Sequence, residues 1–163
     1  SAANLTLLLL INHIIHTFLA PRIGRFIAHF GERRTLTLEY IGLIGVFIAY
    51  GLVENVWIAG GLYIADHLFF AMAMALRTYF GKIADPRDIA PTSGIAFSIN
   101  HIAAVIVPAG FGLIWLINPS AVFYTGAGLA AVSLLLAQLV PHDPDQGNET
   151  VLSRPAARPA AAE

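Results

Sequence analysis

The sequence predicts an all-α integral membrane protein with about five transmembrane helices. Hydrophobic residues make up 57% of the 163 residues, charged residues make up 12%, and the mean hydropathy is +0.71. These values lie outside the usual range of soluble domains. The apolar residues also gather in runs of roughly 18 to 25, the length of a helix that crosses a hydrocarbon core about 30 Å thick.

Polar segments separate the runs and define the elements in order. The first run opens with LTLLLL and ends before GERRT at 31–35; the later breaks are EN at 54–55, GKIADPRDIAP at 81–91 and NPS at 118–120. The predicted spans are therefore residues 5–26, 36–53, 56–80, 92–116 and 121–140. Residues 141–163 have too little apolar surface to fold alone, so we expect a disordered cytoplasmic tail.

The basic residues predict the orientation of the chain. All nine lie in or beside the first connection, the third connection and the tail: Arg22, Arg25, Arg33, Arg34, Arg77, Lys82, Arg87, Arg154 and Arg158. Lys and Arg are retained on the cytoplasmic side, and Trp57 and Trp115 lie beside the opposite connections, as expected at a headgroup interface. We therefore expect the N-terminus outside and the C-terminus in the cytoplasm.

Composition excludes several classes of function. The chain has no cysteine, so disulfides, thiolate metal sites and a cysteine nucleophile are excluded. A net charge of −1 gives no reason to expect nucleic acid as a partner. Since the sequence also contains no nucleotide-binding loop, catalytic triad or zinc-hydrolase motif, we expect neither an enzyme nor a bound cofactor.

Seven of the polar residues in three predicted spans are candidate site residues. They are Asn12, His13 and His16 in the first span, Asp66 and His67 in the third, and Asn100 and His101 in the fourth. The first three are spaced three and four apart, so they share one side of a helix. Carboxylates and imidazoles at mid-depth can change charge near neutral pH, which a proton-coupled carrier requires.

The first connection resembles a loop signature of the major facilitator superfamily. From residue 24 the chain reads GRFIAHFGERRTL, in which Gly24, Phe26, Gly31, Arg33 and Leu36 fall on matching positions and Arg34 extends the basic pair. Ala28 departs from the signature, where the family usually has an aspartate. Gly24 would let helix ends approach closely, Gly31 would suit a sharp turn, and these glycines with Arg33 and Arg34 would form a gating loop.

The resemblance implies a partial superfamily bundle, equivalent to helices eight to twelve of twelve. The chain would then begin outside, and it has no initiator Met and no signal-like cleavage site, so we expect a missing N-terminal half upstream. The expected location is a bacterial inner (plasma) membrane. In this fold the second and fifth spans lie outside, and residues 41–53 contain no Asp, Glu, His, Lys or Arg. The implied function is proton-coupled efflux of a small organic solute by alternating access, with protons and membrane lipid as further partners.

Two alternatives remain open at this stage. A haem- or metal-binding membrane protein would use His13, His16, His67 and His101 as ligands across a helical bundle. A membrane scaffold without transport would use Asp66 and the histidines only in hydrogen bonds between helices.

Overall fold

The computed structural model describes residues 2–153, except for the side chains of residues 2–5, 8 and 16. In that part of the chain all regular elements are helical and no strand is present, which confirms the predicted fold class. The helices are α1 (Ala2–Phe30), α2 (Glu32–Leu52), α3 (Val56–Phe70), α4 (Met74–Ile83), α5 (Pro86–Ile117) and α6 (Pro119–Ala137). A short 3-10 segment, Ala71–Ala73, joins α3 to α4.

Four helical segments are long and apolar enough to cross a membrane. They are Glu32–Leu52, Val56–Ile83, Pro86–Ile117 and Pro119–Ala137, which correspond to the second to fifth predicted spans. The first predicted span lies in α1, whose 29 residues extend about 43 Å at 1.5 Å per residue. That helix is long enough to cross a bilayer, and its assignment as a fifth span stays a prediction.

Polar caps and prolines explain where three helices begin. The side chains of Asn55, Asp85 and Asn118 accept backbone N–H bonds at the starts of α3, α5 and α6. Such caps satisfy amides that have no carbonyl partner within the helix. Pro86 and Pro119 occupy the first helical positions of α5 and α6, where a missing N–H costs nothing.

Helix α2 is the centre of the bundle. It contacts α1, α3, α4 and α6, whereas α5 packs against α6 and has no buried residue. The buried core surrounds Leu36 of α2: Ile23, Ile27, Ala71, Ala75, Ala137 and Val140. The expectation that the second span lies at the outside of the bundle is therefore not met by the described helices.

Glycines on α2 allow two aromatic rings to approach the helix. A Cβ at Gly42 would collide with the ring of Phe69, and a Cβ at Gly51 would lie 2.7 Å from Cε1 of Tyr124. Gly24 behaves differently, since it lies inside α1 and a Cβ there would meet no described atom of another helix within 4 Å. The close approach predicted at Gly24 occurs instead at these α2 glycines.

Residues 141–153, predicted above to be disordered, form a series of turns. The Tyr79 hydroxyl donates to the backbone carbonyl of Glu149, and the Gln146 side-chain amide donates to the Ala84 carbonyl at 3.1 Å. The Val151 amide also donates to the Leu139 carbonyl at 2.9 Å. Partners on α4, just after α4 and just after α6 thus order this polar segment. The composition of the segment alone does not predict these contacts. Residues 154–163 lie outside the described part of the chain.

Candidate functional site

Among the described side chains, Asp66 and His67 form an ion-pair contact between two predicted site residues. Oδ2 of Asp66 lies 3.6 Å from Nδ1 of His67, and the two side chains are 27% and 33% exposed. Asp66 lies about 15 Å along the segment that starts at Val56, at 1.5 Å per residue. A half-buried carboxylate therefore sits near the middle of a candidate membrane span.

Three predicted histidines are bonded to their own helices. Nδ1 of His13, His67 and His101 lies 2.9–3.1 Å from the carbonyl four residues earlier. The rings of His67 and His101 also lie 4.2 and 4.1 Å from those of Tyr63 and Phe97, one turn back. With its proton on Nδ1, each imidazole donates to that carbonyl and keeps Nε2 as the acceptor nitrogen. These histidines can therefore accept a proton without first breaking a bond between helices.

The predicted cluster on α1 does not share one environment. Asn12 is buried, whereas His13 is exposed and bonded only to the Leu9 carbonyl. The side chain of His16 lies outside the described residues. On α5, both Asn100 and His101 are exposed, consistent with the peripheral position of that helix.

The buried polar side chains that sequence reasoning missed are on α2. Glu32, Thr35 and Glu39 are each 2% exposed or less. Their spacing of i, i+3 and i+7 places them on one face of the helix, and that face points into the bundle. This spacing was the signal available in the sequence, but Glu32 and Thr35 fell in the first polar connection and Glu39 lay near the start of an otherwise apolar run.

Glu32 binds Lys82, which comes from the end of α4. Nζ of Lys82 lies 2.6 Å from Oε1 of Glu32, and the lysine side chain is 50% exposed. The second carboxylate oxygen of Glu32 is buried and has no hydrogen-bond partner among the described residues. The pair ties the start of α2 to the end of the Val56–Ile83 segment.

Glu39 lies about 10 Å further along α2, at 1.5 Å per residue. Its side chain is 2% exposed, and Oε2 has no hydrogen-bond partner in the described part of the protein. No Lys or Arg of residues 2–153 forms an ion pair with it. A buried carboxylate without a counter-ion is costly when charged, so this site favours a bound proton or a bound cation.

The predicted gating loop is a tight turn at the end of the bundle. Gly31 has a φ of +83°, which glycine adopts without steric cost, and it separates α1 from α2. Nη2 of Arg33 donates to Oε1 of Gln138 on the chain just after α6, at 3.3 Å. The Gln138 amide donates in turn to Oγ1 of Thr37 at 2.9 Å. This polar link holds α2 against the end of α6.

Among the described side chains, no three His, Cys, Asp or Glu residues lie close enough together to hold a metal ion. The metal-binding alternative therefore gains no support from these residues.

Comparison with protein-family models, with curated proteins and with solved structures gave no match.

Proposed function

We propose that this chain is part of a secondary active transporter that moves a small organic solute by alternating access and couples this movement to protons. One observation carries the proposal: Asp66 is half-buried near the middle of an apolar segment long enough to span a membrane. Its one ion-pair contact within residues 2–153 is His67, which is charged only when protonated. Ionisable residues at such a depth usually serve function, because their burial costs free energy.

The Asp66–His67 pair has the chemistry of a proton site. Protonation of the Asp66 carboxylate removes a charge from the apolar interior, and release of the proton restores it. His67 can take up a proton at Nε2 while Nδ1 stays bonded to the Tyr63 carbonyl at 2.9 Å. A change of charge at this depth would shift the balance between outward-facing and inward-facing states.

Glu39 extends the proposed proton pathway to the central helix. It is more deeply buried than Asp66, and it lies on α2, which packs against the segment that carries Asp66. Two carboxylates on two contacting helices would allow protonation to alter their packing. The break from α-helix to 3-10 helix at Ala71–Ala73, between α3 and α4, supports a hinge at this interface.

The side chains of the candidate spans favour a moderately apolar solute. No arginine lies at mid-depth in the candidate spans, which argues against an organic anion. Aromatic and sulfur-containing side chains are available instead: Phe69, Phe70, Met72, Met74 and Phe97. The exposed apolar surface of α5 would be covered by lipid and by partner helices of the proposed transporter. The basic connections would face the cytoplasm of a bacterial cell.

Proton-driven flux in liposomes tests this proposal. The full-length protein is reconstituted, and uptake of a panel of radiolabelled organic compounds is measured with and without an imposed pH gradient. We expect Asp66→Asn to abolish the gradient-driven component while exchange of labelled for unlabelled solute persists. The matched control is Asp88→Asn, an exposed carboxylate in the first turn of α5, which should transport like the wild type. Equal gradient-driven flux in the wild type and Asp66→Asn would overturn the assignment of Asp66.

A further inference from the structure

An open cavity of about 380 Å³ lies between α2 and the end of α6. It is lined by Arg33, Arg34, Thr37, Leu38, Ile41, Gln138 and His142. Two of these side chains are guanidinium groups, a third is an imidazole, and none is a carboxylate. The volume falls within the range of about 300 to 1,000 Å³ that is typical of small-molecule sites.

The basic wall of the cavity is held in place by hydrogen bonds. Arg33 donates to Gln138 at 3.3 Å, and Gln138 is itself fixed by its bond to the Thr37 hydroxyl at 2.9 Å. Arg34 is exposed and forms no ion pair with any described carboxylate. The two guanidinium groups are thus available to an anion, and Arg matches the geometry of phosphate with paired N–H bonds.

The other wall of the cavity is apolar and exposed. Leu38 and Ile41 are 42% and 54% exposed, and they follow Arg34 at i+4 and i+7 on the same face of α2. The cavity therefore changes from basic to apolar over about 10 Å along the helix, in the direction of the membrane interior. A phospholipid has the same order of charge and apolar character.

We propose that the cavity binds one anionic phospholipid. The lipid phosphate would lie between Arg33 and Arg34, with His142 beside it, and an acyl chain would cover Leu38 and Ile41. Basic pockets between membrane helices bind anionic headgroups in this way, and a free phosphate ion would leave the apolar wall uncovered. The site lies outside the proposed proton pathway, and its existence does not depend on transport.

Native mass spectrometry of the delipidated full-length protein tests the site. Phosphatidylglycerol, phosphatidylcholine and inorganic phosphate are added in separate titrations. We expect phosphatidylglycerol to bind at least tenfold more tightly than phosphatidylcholine, and inorganic phosphate not to displace it at equal concentration. Equal binding of the two lipids would overturn the proposal, and displacement by inorganic phosphate would show a free-anion site instead.

Matched variants locate the binding. The double variant Arg33→Gln and Arg34→Gln should lower the affinity for phosphatidylglycerol at least tenfold. The control removes the same charge from exposed positions outside the cavity, Arg77→Gln with Arg87→Gln, and should bind like the wild type. A third variant, Ile41→Asn, keeps both arginines and should weaken phosphatidylglycerol binding through the apolar wall alone. Equal loss in the cavity variant and the control, or unchanged binding in Ile41→Asn, would contradict the site.

Discussion

Replacement of Lys82 by methionine should destabilise the bundle through Glu32. The lysine Nζ lies 2.6 Å from a carboxylate that is 2% exposed and whose other oxygen has no described partner. Loss of a fully buried partner costs about 3 to 5 kcal/mol, whereas a surface pair contributes about 0 to 1 kcal/mol. Since the Lys82 side chain is 50% exposed, we expect an intermediate loss of about 2 kcal/mol in the free energy of unfolding.

Denaturant unfolding in detergent micelles, followed by circular dichroism, measures this loss. Arg77→Met serves as the control, because Arg77 is exposed on the same helix and forms no ion pair within the described residues. Adding Glu32→Gln to Lys82→Met should recover about half of the loss, since a neutral amide is less costly to bury than an unpaired carboxylate. A loss in Lys82→Met no larger than that in Arg77→Met would refute the reasoning.

Two further predictions concern a packing contact and a turn. Gly42→Ala should destabilise the protein by about 1 to 3 kcal/mol, because the new methyl group would overlap the ring of Phe69. The control Gly45→Ala, one turn along α2 with no described atom near its Cβ, should not destabilise it; equal effects in a thermal unfolding assay would contradict the predicted overlap. The Gly147 amide donates to the Glu149 carboxylate at 2.7 Å, and this bond holds the pKa of Glu149 below the usual 4.5. The bond should therefore persist above pH 4.5 and be lost as the pH falls through the lowered pKa. The NMR shift of the Gly147 amide should report a midpoint below 4.5 that disappears in Glu149→Gln, and a midpoint at or above 4.5 would contradict the bond.

The helices could be predicted from the sequence because the relevant signal is local. Long apolar runs need no tertiary information, and four of the five predicted spans correspond to helical segments of sufficient length and hydropathy. Helix ends were also close to the polar breaks, because Asn55, Asp85 and Asn118 cap the helices that follow them. The order of packing could not be predicted in this way. That α2 lies at the centre depends on contacts with residues up to a hundred positions away.

The candidate site was predicted only in part, for the same physical reason. Asp66 and His67 stand out as ionisable groups within an apolar run, and they are in contact. Glu32 is different, because its burial depends on Lys82, fifty residues later, and a charge beside a basic loop is typical of a solvated connection. Gln138 likewise gains its partners from Thr37 and Arg33 on another helix. Local periodicity in a sequence cannot predict which distant segments pair.

Accessibility of single cysteines tests alternating access most directly. The 163 residues contain no cysteine, so Tyr63→Cys and Phe70→Cys, one turn before and one turn after Asp66, would each introduce one reactive thiol in this chain. Membrane-impermeant thiol reagents are applied to either side of vesicles that contain the full-length protein, with Leu129→Cys on the exposed face of α6 as a control. Alternating access predicts labelling of positions 63 and 70 from both sides and no labelling at position 129. Labelling of both positions from one side alone, or from neither side, would contradict the proposed transporter.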